Sequence, residues 1–145
     1  MKKDSKRILT IKNNYRLGTV IAEREILFQV GKKKSKVHIK IGKPKLYPDP
    51  DFPWYCTLQI IGIGSEKVHV AFSFDSIGAI DHAFQMTGSL LVHYFQKLYD
   101  FNWLKPEDLL FPPTIKLEEL SKNEIRLQKN LKKHNVRIQY KNLSE

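Results

Sequence analysis

One cysteine, five histidines and a scatter of aspartates are the residues of this chain that bear chemistry. Cys56 is the only thiol. A catalytic cysteine needs exposure and a nearby base or helix N-terminus to form its thiolate. In the alternation of Trp54–Ile61, Cys56 falls in phase with Leu58 and Ile60, which points it inward as a small hydrophobe. The histidines are His38, His69, His82, His93 and His134, and no two are spaced i, i+4. No CxxC or HExxH occurs, so no metal site and no cofactor is expected. His82 and His93 stand about three helical turns apart, too far to share an ion. His38 and His69 read as projections from one sheet face, flanking a central strand that offers Tyr55, Thr57 and Gln59. Strands two apart are separated by roughly 9–10 Å, which suits a polar ligand lying across the sheet and not one metal ion. The competing reading is an ordinary solvated face of an antiparallel sheet.

Asp49, Asp51 and Asp75 are the carboxylates to weigh for acid–base work, which needs two of them about 5–10 Å apart across a cleft. Asp75 already has a sufficient role as a helix N-cap. "GIGSE" lacks the spacing of a phosphate loop and precedes a strand, and no nucleophile elbow occurs. No catalytic residue is assigned, and an enzyme built on the His38/Tyr55/His69 face stays the third of three readings.

Charge says more. The chain has 145 residues and a formal net charge of +10. Residues 31–45 hold seven lysines and no acid, whereas residues 46–110 hold eight acids against Lys67, Lys97 and Lys105. Residues 121–141 return to basic, with Glu124 the one acid. Lys32, Lys33, Lys34, Lys36, Lys40 and Lys43 form one basic patch, and Lys129, Lys132 and Lys133 a second. Such a field attracts acidic protein surfaces or polyanions, unless it serves only solubility. Nucleic acid is the alternative partner, with Lys40 near the aromatic Tyr55. Against it, arginine is scarce and no RNP, KH or zinc-knuckle pattern occurs.

The elements that must position these residues follow from period. Val20–Val30 reads as a strand interrupted by charge at Glu23-Arg24-Glu25. "GKKKS" turns the chain, and Val37, Ile39 and Ile41 alternate with His38 and Lys40 in a second strand. After a proline-rich bend, Trp54–Ile61 is a third strand and Lys67–Phe74 a fourth, with Val68, Val70, Phe72 and Phe74 expected inward. Ile77, Ile80, Phe84, Leu91, Phe95 and Leu98 then recur at helical spacing behind Asp75 or Ser76 as cap. Lys105-Pro106-Glu107 starts a short helical segment and Pro112-Pro113 ends it. A last helix is expected between Leu117 and His134, with possible short strands at "RILTI" and "VRIQY".

The run "IGKP…DPDFPWYCTLQIIGIG" followed by "FSFDSIGAIDHAFQMTGSLL" resembles a family of small bacterial domains of unknown function, over about residues 20–98. An Ile-Gly-x-Pro strand exit, Trp-x-Cys-x-x-x-Ile-x-Gly and an Asp-Ser-Ile-x-Ala helix start carry the resemblance. It implies a compact sheet-plus-helix domain and no catalytic residues.

The expected architecture is a single α+β domain. Residues 1–17 form a basic arm, residues 18–100 a four-stranded antiparallel meander with a long helix on one face, and residues 101–145 a basic helical extension. The expected function is a non-catalytic interaction module that binds an acidic protein partner through the hairpin and C-terminal helix. A membrane span is not expected, because no stretch of ~18 apolar residues occurs. The basic start lacks an apolar signal region. With a single cysteine, a cytoplasmic setting is expected, export by a signal-free route being left open.

Overall fold

The computed structural model describes residues 15–48, 51–113 and 117–138. Asp49, "RILTI" and the end of "VRIQY" lie outside them. Five strands form one antiparallel sheet: β1 (Val20–Val30), β2 (Lys33–Gly42), β3 (Lys45–Leu46), β4 (Trp54–Ile61) and β5 (Val68–Ser73). The expected four-strand meander is present, with two-residue β3 added beside the start of β4. The hairpin turn is tighter than "GKKKS" suggests. Val30 pairs with Lys33, so only Gly31 and Lys32 make the turn, with Gly31 at φ 62°. Two-residue hairpins require this left-handed backbone, which glycine adopts without strain.

Residues directly opposite each other in an antiparallel pair share a face. Val37, Ile39, Ile41, Cys56, Leu58 and Ile60 are all buried on the side that meets helix α1 (Ser76–Tyr99). The expected phase of β5 is reversed. Ala71 stands opposite Cys56, His69 opposite Leu58 and Ser73 opposite Trp54, so these three take the helix side, while Val68, Val70 and Phe72 face away. Volume explains the reversal. Ala79 and Ala83 are fully buried, and a side chain on Gly78 would collide with Ser73 Oγ. At Ser73 and Ala71 the helix approaches β5 so closely that only small side chains fit, while His69, farther from that approach, is half-buried.

Asp75 caps α1, its Oδ1 accepting from the Gly78 N–H at 2.7 Å. Asp100, at φ 58°, closes the other end. The buried face of α1 runs through Ala79, Ala83, Thr87, Gly88, Leu91 and Phe95. Leu91 and Phe95 belong to the expected stripe. Ile77 and Leu98, at its two ends, are exposed.

Residues 101–113, assigned by the sequence reading to the C-terminal extension, pack into this core. A 3-10 helix, Pro106–Leu109, follows Lys105 as expected. Leu104 and Phe111 are buried, and Gly88 makes room for Phe111 and Pro106 against the middle of α1. Helix α2 (Leu117–His134) has the expected bounds. Among its described side chains only Leu131 is half-buried; the others are exposed. After it, Asn135 turns to φ 54° and residues 136–138 are not a strand.

Candidate functional site

The sheet face away from α1 carries four of the five polar candidates but not the fifth. His38, Tyr55, Thr57 and Gln59 share this open face: Lys40 stands opposite Gln59, and His38 opposite Ile61. His69 does not. It stands opposite Leu58 on the helix side, half-buried, where burial and then Lys67 lower its pKa. The five-residue constellation is therefore split between two faces, because the phase of β5 is reversed.

The four that remain are engaged locally. His38 Nε2 lies 3.0 Å from Glu23 Oε1, and Lys36 Nζ lies 3.1 Å from Glu25 Oε1. The charged interruption in β1 thus alternates by function: Glu23 and Glu25 meet basic groups on the open face, while Arg24 turns to the helix side. Gln59 donates to the Glu66 carbonyl at 2.9 Å. Thr57 is buried although it faces outward, because the chain before β1 crosses it. Its Oγ1 donates to the Leu17 carbonyl at 2.8 Å. A side chain on Gly42 would strike that same hydroxyl, so glycine is required at this crossing.

Tyr55 belongs to an aromatic cluster that sequence reasoning missed. Its ring centroid lies 4.9 Å from that of Tyr15 and 6.2 Å from that of Tyr47. Phe72 completes the group, 5.7 Å from Tyr47. Burial, and then the neighbouring Tyr47 and Tyr55, push the Tyr15 hydroxyl up to about 12. The signal was the outward phase of Phe72, hidden by the assumption that large apolar residues of β5 face the helix.

Cys56 is fully buried, and its Sγ lies 3.3 Å from the Gly42 carbonyl. Burial pushes its pKa up to about 11, the opposite of what a nucleophile needs. His82 Nδ1 lies 2.8 Å from the Phe72 carbonyl, and because a carbonyl only accepts, Nδ1 carries the proton. Among the described residues, no three His, Cys, Asp or Glu side chains are grouped to hold a metal, and no helix is long and apolar enough to cross a membrane.

The basic candidates fall in two places. β4 pairs with β2 only over His38–Ile41, so the β1–β2 ribbon continues past β4 and carries exposed Lys32, Lys33 and Lys34 at its tip. Lys36 is tied to Glu25, Lys40 is half-buried opposite Glu23, and Lys43 is exposed beyond β2. Lys129, Lys132 and Lys133 are exposed on α2.

A family model described as "Domain of unknown function (DUF6968)" matches residues 22–113, more than half of the chain. The chain belongs to this family. No curated protein and no solved structure matches. The DUF6968 match runs beyond the resemblance read at residues 20–98 and ends at Pro113, just after buried Leu104 and Phe111. The matched residues thus include the segment that packs Pro106 and Phe111 against Gly88, and α2 lies outside them.

Proposed function

We propose that this DUF6968 chain is a non-catalytic binding module that engages an acidic protein partner through its hairpin tip and helix α2. One observation carries the reading: the ribbon extends past the sheet and exposes Lys32, Lys33 and Lys34, while the nearby acids Glu23 and Glu25 are already matched to His38 and Lys36. Charge at a projecting tip raises the rate of encounter with an oppositely charged surface. The part of helix α2 from Lys122 onward supplies a second basic element, with Lys122, Arg126, Lys129, Lys132 and Lys133 exposed beside Glu124, whereas Glu118 and Glu119 lie in its first turn.

The nucleic-acid alternative would draw on Tyr55, whose opposite residue is Lys45. The rings of Tyr15, Tyr47, Tyr55 and Phe72 pack largely edge to face on one another, which favours a filled cluster over a stacking platform. His38 and His69 occupy opposite faces, which favours the binding reading over the enzyme alternative.

Retention of the full chain on immobilised poly-L-glutamate, over a salt gradient and beside single-stranded DNA, tests the reading. Wild type should elute from polyglutamate at higher salt than the triple variant Lys32→Glu, Lys33→Glu, Lys34→Glu. Equal elution of the two proteins would overturn the hairpin's role. Clear preference for DNA would transfer the role to nucleic acid.

A further inference from the structure

We propose that the outer edge of β1 pairs with β1 of a second copy of this chain, antiparallel and centred on Leu27, so that one sheet runs through a two-fold dimer.

β1 lies at one end of the strand order, and among the described residues β2 is its sole strand partner. The phase of its backbone follows from the hairpin. Val30 and Lys33 close a two-residue turn, and the pair that closes such a turn is a hydrogen-bonded pair. Val30, Phe28, Ile26 and Arg24 therefore address β2, while Glu23, Glu25, Leu27 and Gln29 turn their N–H and C=O groups outward. The far edge of β2 agrees with this phase: a side chain on Gly62, just after β4, would strike the Lys36 carbonyl. Among the described residues, no backbone hydrogen bond outside the β1–β2 pairing involves residues 21–30. Such a row of outward groups is a template for another strand. Proteins guard an edge with charge, proline or a bulge. β1 has a bulge near Val20 and charge at Glu23–Glu25, but its half from Ile26 to Val30 has none of these guards.

Self-complementarity names the second copy as that strand. Outward groups must meet outward groups, so odd-numbered residues stand opposite odd-numbered ones across a two-fold axis. A centre at Glu23, Arg24 or Glu25 sets like charges opposite each other, which is destabilising. A centre at Ile26 sets exposed Leu27 against the Glu25 carboxylate. A centre at Phe28 sets Arg24 against Lys32, and one at Gln29 sets Ile26 against Lys32. The centre at Leu27 is free of such conflicts. Leu27, 77% exposed in one copy, meets its own counterpart at the axis. Glu25 stands opposite Gln29 of the second copy. Gln29 donates one amide hydrogen to the Gly31 carbonyl at 2.9 Å and has a second for that carboxylate. On the helix side, half-buried Ile26 and Phe28 stand opposite Phe28 and Ile26 of the second copy, an aromatic–β-branched pair of the kind that stabilises sheets. Gly31 falls opposite Glu23, which brings each lysine tip beside a carboxylate of the other copy.

Sedimentation velocity of the full chain over a concentration series tests the contact, and wild type should show a dimer. Leu27→Glu should sediment as a monomer where wild type is dimeric. It sets two carboxylates opposite each other at the axis, yet faces Lys36 within its own chain. Leu27→Pro should do the same, since it removes an N–H that β2 does not use. Circular dichroism checks that each variant is folded, and Leu27→Glu alone decides the matter where the proline variant is not. Cross-linking reads the register. Residues opposite each other in a hydrogen-bonded pair have Cα atoms about 5.5 Å apart, within disulfide reach. With diamide as the thiol oxidant, Leu27→Cys should form a covalent dimer. Glu25→Cys alone should not, but its mixture with Gln29→Cys should. Cys56 is buried and takes no part. A wild type that is monomeric throughout overturns the second copy as the added strand. Dimers that persist in Leu27→Glu, or that fail to cross-link through Leu27→Cys, overturn the Leu27-centred edge as the contact.

Discussion

Arg24 lays its guanidinium over the ring of Phe111, 4.5 Å from the centroid, and the same side chain donates to the Leu110 carbonyl at 2.8 Å and the Leu109 carbonyl at 3.1 Å. A residue near the start of the sheet thereby closes the C-terminal end of the 3-10 helix, where Leu110 stands at φ 60° and carbonyls need donors. Arg24→Met keeps the apolar stem and removes both Nη1 hydrogen bonds and the cation–π contact. A part-exposed cation–π contact contributes about 0.5–1 kcal/mol, and hydrogen bonds from a charged donor about 1.5–3. Urea unfolding should show a loss of about 2–4 kcal/mol, the sum of those magnitudes. Arg24→Lys should recover only part of it, since an ammonium can donate to both carbonyls but offers no planar face to lay over the Phe111 ring.

Cys56 should be inert in the native state. It is fully buried, and its pKa is pushed up to about 11, so at pH 8 almost none is thiolate. A colourimetric disulfide reagent should label native protein only at the rate of global opening, and denatured protein at once. Fast labelling without denaturant would contradict the burial. Cys56→Ser places a stronger donor in an apolar core and should cost about 1–3 kcal/mol, the range for a poorly matched buried polar group.

His69 should make the fold sensitive to acid. Burial, with Lys67 beside it, lowers its folded pKa below the ordinary 6.5. The unfolded chain therefore takes up a proton first as pH falls. The stability that His69 contributes is present above pH 6.5 and is lost as pH drops through the folded pKa. Urea midpoints measured from pH 7.5 downward should fall more steeply for wild type than for His69→Gln, which fills similar space without titrating. Parallel slopes would mean that His69 is solvated in the fold.

Much of this architecture is legible in sequence because its alternation is unambiguous. In β2, Val37, Ile39 and Ile41 alternate with His38 and Lys40, so only one phase can be buried. In β4, Cys56, Leu58 and Ile60 make the same case. The long helix is announced by Asp75 and by Leu91 and Phe95. β5 is different: "VHVAFS" has apolar residues in both phases, and side-chain volume decides between them. The larger set looks like core until the Gly78–Ser73 approach shows that the helix leaves no room for it. That single inversion carried His69 to the wrong face and hid the Tyr15–Tyr47–Tyr55–Phe72 cluster. The docking of residues 104–111 is illegible for another reason. It depends on Gly88 and Arg24, neither of which has a local pattern pointing to Phe111.

Gly88 sets two effects against each other. In a helix interior, Gly→Ala normally gains about 1 kcal/mol from propensity. Here an added Cβ would lie 2.9 Å from Phe111 Cβ and 2.9 Å from Pro106 Cβ. Neither atom is the tip of a flexible side chain, so the backbone of the 3-10 segment must move. Overpacking of this kind costs about 1–3 kcal/mol, and displacement of Phe111 would also loosen the Arg24 contact. Gly88→Ala should therefore be net destabilising, by a small margin, and Gly88→Val should be worse, because its branched side chain adds bulk and loses helix propensity. Combining Gly88→Ala with Arg24→Met should cost less than the sum of the two, since both act through the seat of Phe111. Urea midpoints of the four proteins measure that coupling, and strict additivity would mean that Gly88 and Arg24 do not share this anchor.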